Sequence, residues 1–179
     1  MKLYLREMKC LDDQEELTAL GQLVARIPVE PSLAKMLIVG TLFQQGDAMC
    51  ILAASDSIQT DVFAMGVDLK RLTYRQRSFA GSRQSDHVAL ISAFYAYEQV
   101  KLEQQYPDAE FNFCEAQSLS LSSLRVLYDA RCQLRDILIG FGFPESALVP
   151  KVITALANDL NWLLLSKILD CHFAPKFVG

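Results

Sequence analysis

The segment Lys70–Phe94 holds the side chains with the clearest potential for chemistry. Between positions 70 and 83 it has five basic residues and no acidic one, namely Lys70, Arg71, Arg75, Arg77 and Arg83. The whole chain has 17 basic and 21 acidic residues, so the remainder has 12 basic residues against 21 acidic ones. Such a local excess of positive charge predicts contact with something negatively charged. Tyr74 and Phe79 lie among these residues, and flat rings of this kind can stack on nucleic-acid bases.

Three interpretations of this basic stretch are open at the level of the residues. It is a solvated loop with scattered salt bridges, a contact for nucleic acid, or a contact for an acidic protein partner. A second set of polar residues lies off the apolar stripe of a long predicted helix and comprises Arg125, Arg131, Gln133 and Arg135. A solvated helix face is the simpler interpretation of this second set. Because the net charge is −4, any contact with nucleic acid is local.

Ser85-Asp86-His87 contains the three residue types of a hydrolase triad. Contiguous residues at a helix start point in different directions, so they cannot form the relay from nucleophile to base to orienting acid. Ser85 or Asp86 instead suits the cap of the helix that follows, by accepting a hydrogen bond from a backbone N–H. Phosphate-loop, GxGxxG, GxSxG and HExxH patterns do not occur in the sequence. We therefore predict no catalytic residue in this chain.

No metal site is predicted either. Asp12, Asp13, Glu15 and Glu16 lack the glycine and ligand spacing of a calcium loop, which favours a solvated turn over a cation site. The five cysteines are widely spaced without a CxxC pair, which favours small buried side chains in a reducing compartment. Uncharged runs such as Met36–Gly46 fall well short of the ~20 residues that span a bilayer, and no signal-peptide pattern opens the chain.

These residues must be positioned by a mostly helical chain. The 179 residues are 51% hydrophobic, which is sufficient for one core. Apolar periodicity predicts helices over Leu3–Met8, Leu17–Ile27, Ser32–Gln45, Ala48–Ser55, from the cap Ser85 or Asp86 to about Gln105, from the cap Ser120 to about Ile139, and over Asp159–Cys171. Ile58–Ser82 is predicted to be less regular. The β-structure expected is at most a short hairpin near Cys10–Thr18.

Several strings of residues, taken in order, resemble a known family. The first set comprises Leu11-Asp12, Glu16-Leu17-Thr18, Leu20-Gly21, Leu23-x-Ala25-x-Ile27-Pro28-Val29-Glu30-Pro31 and Ala34-Lys35-Met36-Leu37. The next is Phe79-Ala80-Gly81-x-Arg83-x-Ser85-Asp86-His87-Val88-Ala89-Leu90. The last set comprises Phe113-Cys114-Glu115, Gln133-Leu134 and Gly142-Phe143-Pro144. Over nearly the whole chain, they resemble the helicase-associated region of DEAH-box RNA helicases, in the RNA helicase A (maleless) branch.

The resemblance implies a mainly α fold, a ratchet-like helical bundle with a remnant of a degenerate winged helix at the N-terminus. It places the end of the winged helix at residues 1–28 and the bundle at 29–179, within a larger helicase-like protein. The bundle would form one wall of the single-stranded RNA channel and couple motion of RecA-like domains to 3′→5′ translocation. ATP and Mg would be bound by those RecA-like domains. No cofactor and no enzymatic activity are therefore expected of this chain alone.

Candidate RNA-binding residues follow from the resemblance and the charge pattern together. They are Arg75, Arg77, Arg83 and His87 near the basic stretch, and Arg125, Arg131 and Gln133 on the long helix that resembles the RNA-facing helix of the bundle. The expected partners are single-stranded RNA, bound weakly by this chain alone, and the parent's RecA-like and OB-fold domains. We expect no membrane partner, and an intracellular location in the nucleus, the cytoplasm or both.

An alternative of a different class is a protein-interaction module. The family often has arginines at the positions of Gln22 and Ser32, and commonly a tryptophan at the position of Tyr97. The loss of two cations is compatible with an ATPase-deficient relative that binds a regulatory protein. Such a relative would act as a scaffold in RNA regulation or translational repression. An intact phosphate-loop lysine and a DEAH-like box upstream in the parent would favour the helicase.

Overall fold

The computed structural model describes residues 2–58, 61–63, 68–103 and 107–150. Within them lie eight α-helices, which we number in chain order: α1 Lys2–Glu7, α2 Ala19–Val24, α3 Pro31–Leu42, α4 Gly46–Ile58, α5 Leu69–Ala80, α6 Asp86–Glu103, α7 Ala109–Gln117 and α8 Leu121–Gly140. Short 3₁₀ turns occur at Gly81–Arg83 and Glu145–Leu148. These described ranges include no strand, only isolated bridges that pair Leu11 with Leu17 and Phe63 with Leu119. The predicted mainly α fold is confirmed.

The chain divides into two compact units. The first comprises residues 1–53 and 133–179, and the second comprises residues 54–132. The boundary expected at Pro28, between a winged-helix remnant and a bundle, stays a prediction. The helix expected over Asp159–Cys171 lies outside the described residues.

In the first unit, α3 and the start of α4 are buried on most sides. Pro31 begins α3, where its missing N–H costs no helical hydrogen bond. Gly40 permits close packing, since a Cβ there would lie 2.1 Å from Cγ of the fully buried Met49. Thr18 caps α2 by accepting a hydrogen bond from the N–H of Gly21 at 3.0 Å. These contacts fix short helices that would be unstable in isolation.

In the second unit, α6 is the central helix, because α5 and α7 both pack against it. The buried side chains of this unit include Ile91, Phe94, Tyr97, Leu124 and Leu127. The Phe94 ring stacks on the Tyr128 ring, with the centroids 6.3 Å apart. Ser120 starts α8 as predicted, since its Oγ accepts a hydrogen bond from the N–H of Ser123 at 3.3 Å. Within this unit, apolar periodicity predicted α6 and α8 but not α5 and α7.

The prediction of an irregular segment over Ile58–Ser82 is wrong for Leu69–Ala80, which form the regular helix α5. Asp68 caps this helix by accepting a hydrogen bond from the N–H of Lys70 at 3.3 Å. Lysine, arginine, glutamine and leucine all have high helix propensity. Apolar contact is confined to a narrow side that includes half-buried Phe79 and buried Ala80. Hydrophobic periodicity is therefore a weak signal for this helix.

Candidate nucleic-acid interface

The outward side of α5 carries positive charge around an aromatic ring. Lys70, Arg71, Tyr74 and Arg77 are all exposed, and Tyr74 has 68% of its surface accessible. Residues three, four and seven apart lie on one side of a helix, so the Tyr74 ring lies between the two earlier cations and the later one. We call these four residues the basic–aromatic face. Exposed cations beside a flat ring can neutralise phosphates and stack a base.

The two other residues singled out on this helix have different environments. Arg75 is half-buried on its flank. Phe79 packs against Phe63 with ring centroids 6.3 Å apart, so its ring supports the fold and leaves Tyr74 as the exposed aromatic residue of the stretch. Lys70, Arg71 and Tyr74 are not among the RNA-binding residues that were predicted from the sequence. Their spacing relative to Arg77 would have revealed them, had the segment been recognised as a helix.

A polar groove lies where α5 ends and α6 begins. It encloses about 500 Å³ and is lined by Thr73, Gln76, Arg77, Ala80, Gly81, Gln84 and Asp86. Gly81 and Gln84 have positive φ angles of 59° and 51°, and these left-handed conformations turn the chain sharply between the two helices. Arg77 belongs both to the basic–aromatic face and to the groove. The two features are therefore continuous.

The Ser-Asp-His sequence is a helix start, as predicted. Ser85 immediately precedes α6, and its carbonyl accepts a hydrogen bond from the N–H of Ala89 at 2.9 Å. Which of the Ser85 and Asp86 side chains caps the helix stays a prediction. His87 is half-buried, and burial lowers the pKa of its imidazole against the opposing effect of the Asp86 and Asp56 carboxylates. His87 directly follows Asp86, which lines the groove.

Arg83 and Gln133 were also predicted to contact RNA. Arg83 is half-buried in the 3₁₀ turn and interacts within the fold. Gln133 is exposed and belongs to the first unit, whereas the groove belongs to the second. The structure thus brings Arg77 together with Asp86, and RNA contact by Arg83 and Gln133 stays a prediction.

Arg125 on α8 belongs to a hydrogen-bonded set within the second unit. Its Nε lies 3.4 Å from Oε2 of Glu110, and the same carboxylate accepts a hydrogen bond from the Tyr97 hydroxyl at 2.7 Å. Burial raises the pKa of Tyr97 well above its usual range, and the bond to Glu110 adds to that effect. The hydroxyl therefore stays protonated and donates. Arg125 itself remains exposed and accessible to a ligand.

Arg131 corrects the expectation of an outward-facing arginine. The residue is 2% exposed, its Nη1 lies 2.9 Å from Oε1 of Glu98, and its guanidinium lies 5.7 Å from the centroid of the Phe94 ring. Arg131 follows Leu127 by four residues and precedes Leu134 by three, so helical spacing places it on the apolar stripe. This spacing was the missed signal. Its side chain has a structural role in the core of the second unit, and we leave it out of the interface proposed below.

Other site chemistry receives no support in the part of the chain that the structure describes. This part has no group of three or more His, Cys, Asp or Glu side chains that could hold a metal ion. None of its helices is long and apolar enough to cross a membrane. Burial raises the pKa of the Cys114 thiol to about 11 and also raises the pKa of the Cys10 thiol. Neither thiol is therefore poised to act as a thiolate nucleophile.

Comparison with known proteins shows which proteins are similar to this chain in sequence. No family model matches the chain. The ATP-dependent DNA/RNA helicase DHX36 of Rattus norvegicus is 33% identical over 175 residues, and the DExH-box ATP-dependent RNA helicase DExH1 of Arabidopsis thaliana is 31% identical over 175 residues; each alignment covers 97% of this chain. The probable ATP-dependent RNA helicase DHX34 of Homo sapiens is 29% identical over 150 residues, or 84% of this chain. The chain is a homologous region of the DEAH/DExH-box RNA helicases.

The chain spans only a small part of the length of these relatives. The alignments span 17% of the length of DHX36 and of DExH1, and 13% of DHX34. The resemblance to a DEAH-box helicase-associated region is confirmed by these matches. Placement of the helicase region in the RNA helicase A branch stays a prediction, as does the RNA contact of each named residue.

Proposed function

We propose that this chain is an accessory module of an ATP-dependent 3′→5′ RNA helicase and forms part of the channel for single-stranded RNA. In this role it couples movement of the parent's RecA-like domains, which bind ATP and Mg, to translocation, and it also contacts the parent's OB-fold domain. The parent acts inside the cell, in the nucleus or the cytoplasm. The relatives named above are ATP-dependent helicases, which supports the general assignment. The basic–aromatic face of α5 is the observation that carries the RNA contact.

The charge distribution favours a local contact with a single strand. A net charge of −4 gives the whole molecule no general attraction to polyanions. Lys70, Arg71 and Arg77 nevertheless project together from one helix side. A wall that tracks a moving strand needs a few phosphate contacts, since a large basic field would hold the strand too tightly to release it. Three exposed cations meet that need.

Tyr74 adds the second element of single-strand recognition. An exposed ring flanked by cations is a surface on which an unpaired base can stack, whatever its sequence. The ring stands on a regular helix that packs against the buried α6. The side chains therefore start from positions that the fold fixes, which lowers the entropic cost of binding.

Fluorescence anisotropy with a labelled oligouridine of ~10 nucleotides at low salt tests this proposal directly. The Lys70→Ala/Arg71→Ala variant should bind more weakly than the wild type, because it loses two phosphate contacts. Tyr74→Ala should raise Kd roughly 5- to 160-fold, the loss of one base stack, whereas Tyr74→Phe should bind like the wild type.

The matched control removes the same charge elsewhere. Lys2→Ala/Lys35→Ala lowers the net charge by the same amount in the first unit, and it should leave Kd nearly unchanged. Equal weakening by both double variants would show that net charge alone drives binding and would reject the face. Failure of the wild type to bind at low salt would reject the RNA contact and favour the alternative, a protein-interaction scaffold.

A further inference from the structure

The groove between α5 and α6 combines opposite charges with amide groups. Arg77 and Asp86 both line it, together with Gln76 and Gln84. Across the described ranges, neither Arg77 nor Asp86 forms an ion pair with the other or with a third side chain. Both are exposed. Their hydrogen-bonding capacity is therefore open to a ligand that offers an acceptor to the guanidinium and donors to the carboxylate.

The carboxylate of Asp86 determines which part of a nucleic acid fits. A phosphate would meet the like charge of Asp86 and is disfavoured there. The phosphates instead follow the basic–aromatic face, where Lys70, Arg71 and Arg77 are their partners. The Arg77 guanidinium has five N–H donors, enough for both a phosphate and a base edge. A neutral base carries no charge to repel and presents several donors and acceptors on its edges. The groove volume of about 500 Å³ is within the range of sites that hold small molecules.

We infer that this groove binds an unstacked guanine base of the single-stranded RNA that follows the basic–aromatic face. Guanine presents O6 and N7 as acceptors, which suit the Arg77 guanidinium. On its Watson–Crick edge it also presents N1–H and the 2-amino group, two adjacent donors that one carboxylate can accept together. Adenine, cytosine and uracil each lack that pair of adjacent donors. The amides of Gln76 and Gln84 can donate or accept at the remaining positions.

Continuity with the basic–aromatic face explains how a base would reach the groove. Arg77 is shared by the two features, and Tyr74 lies three residues before it on the same exposed side. One base stacked on Tyr74 and a neighbouring base turned into the groove would be consecutive in the strand. This inference rests on the proposed RNA contact, to which it adds a base preference.

The test compares oligouridines of ~10 nucleotides that carry one central guanosine, inosine, adenosine or cytidine, by anisotropy at low salt with the full 179-residue chain. The guanosine probe should bind roughly 5-fold or more tightly than the adenosine and cytidine probes. Inosine keeps N1–H and O6 but lacks the 2-amino group, so its affinity should be intermediate. Asp86→Asn keeps the side-chain shape but loses the two-donor acceptor, and it should abolish the guanosine preference, measured as the ratio of the guanosine-probe Kd to the adenosine-probe Kd within each protein.

Glu115→Gln on α7 is the matched control, because it removes the same charge from an exposed carboxylate outside the groove. It should keep the guanosine preference, and unchanged melting temperatures would show that both variants fold. Equal, salt-sensitive binding of all probes would overturn the guanine site while leaving the proposed RNA contact intact. A preference for another base, or a guanosine preference that survives Asp86→Asn, would also overturn it. Absence of binding by every probe would overturn the RNA contact and this inference together.

Discussion

His87 shows how a single residue at the start of α6 is tuned by its surroundings. Burial lowers the pKa of its imidazole, and the carboxylates of Asp86 and Asp56 oppose this effect without cancelling it. The folded protein therefore binds a proton at His87 less readily than the unfolded chain, in which the imidazole titrates near 6.5. The fold favours the neutral ring. His87 contributes its full share of stability above that pH and loses it as the pH falls through and below 6.5.

The His87→Gln variant should therefore be less sensitive to acid than the wild type. Urea unfolding at about pH 7.5 and about pH 5.5 measures the effect, since the two values bracket the titration of an unfolded histidine. The wild type should lose stability between them, and the variant should lose less, because it has no proton to gain at that position. Equal losses in the two proteins would show that His87 titrates alike in the folded and unfolded states.

At the scale of the secondary-structure elements, the buried ion pair between Arg131 and Glu98 joins helix α8 to helix α6. Both residues are buried, and their charges meet at 2.9 Å beside the Phe94 ring. A buried charge loses its hydration, and the opposite charge of the partner compensates for part of that loss. Removing one of them leaves the other charged in an apolar environment. The pair therefore fixes how the two helices align, even if its net contribution to stability is small.

Arg131→Met should destabilise the protein by roughly 3–5 kcal/mol, because Glu98 then lacks its buried counter-charge. The double variant Arg131→Met/Glu98→Leu should recover most of that loss, since both charges are gone. Urea unfolding measures both effects. Arg125→Ala is the comparison on the same helix, and loss of its exposed pair with Glu110 should destabilise the protein far less than Arg131→Met does. Equal stabilities of the single and double Arg131 variants would contradict the buried-pair account.

The elements also show what the sequence could predict. The long helices α6 and α8 were predicted within a few residues of their observed bounds. For each of them the apolar periodicity begins directly after a residue that can cap a helix, Ser85 or Asp86 for α6 and Ser120 for α8. The helix α5 was missed, since charged residues dominate it and few apolar positions recur. The helix α7 was not predicted, and its Asp108 and Ser118 boundaries adopt left-handed conformations that propensity does not reveal.

The same limit of local sequence patterns applies to the candidate site residues. Arg77 was expected at a ligand surface and is exposed at the groove between α5 and α6, while its contact with a ligand stays a prediction. Arg131 was expected on an outward face and lies in the core. Its spacing from Leu127 and Leu134 could have placed it on the apolar stripe, but its partner Glu98 lies 33 positions earlier in the chain. Contacts between distant positions cannot be read from local periodicity. The groove was also beyond prediction, since it arises from the sharp turn between α5 and α6.

At the scale of the whole molecule, the proposed RNA contact of a chain with net charge −4 requires a local set of cations. The number of cations that meet phosphates can be measured, because each neutralised phosphate of a single strand lowers the slope of log K against log salt by ~0.7. Three contacts, from Lys70, Arg71 and Arg77, predict a slope of about −2. Affinity for oligouridine should then fall roughly 20-fold between about 50 and 200 mM salt.

In the double variant Lys70→Ala/Arg71→Ala, the slope should become shallower, at about −0.7, since one phosphate contact remains. Lys2→Ala/Lys35→Ala should leave it near −2, because the net charge changes equally but the face is intact. Anisotropy titrations at a series of salt concentrations give each slope independently of absolute affinity. A slope that both double variants leave unchanged would place the phosphate contacts on other residues, and Arg125 on α8 would be the next cation to replace because it is exposed.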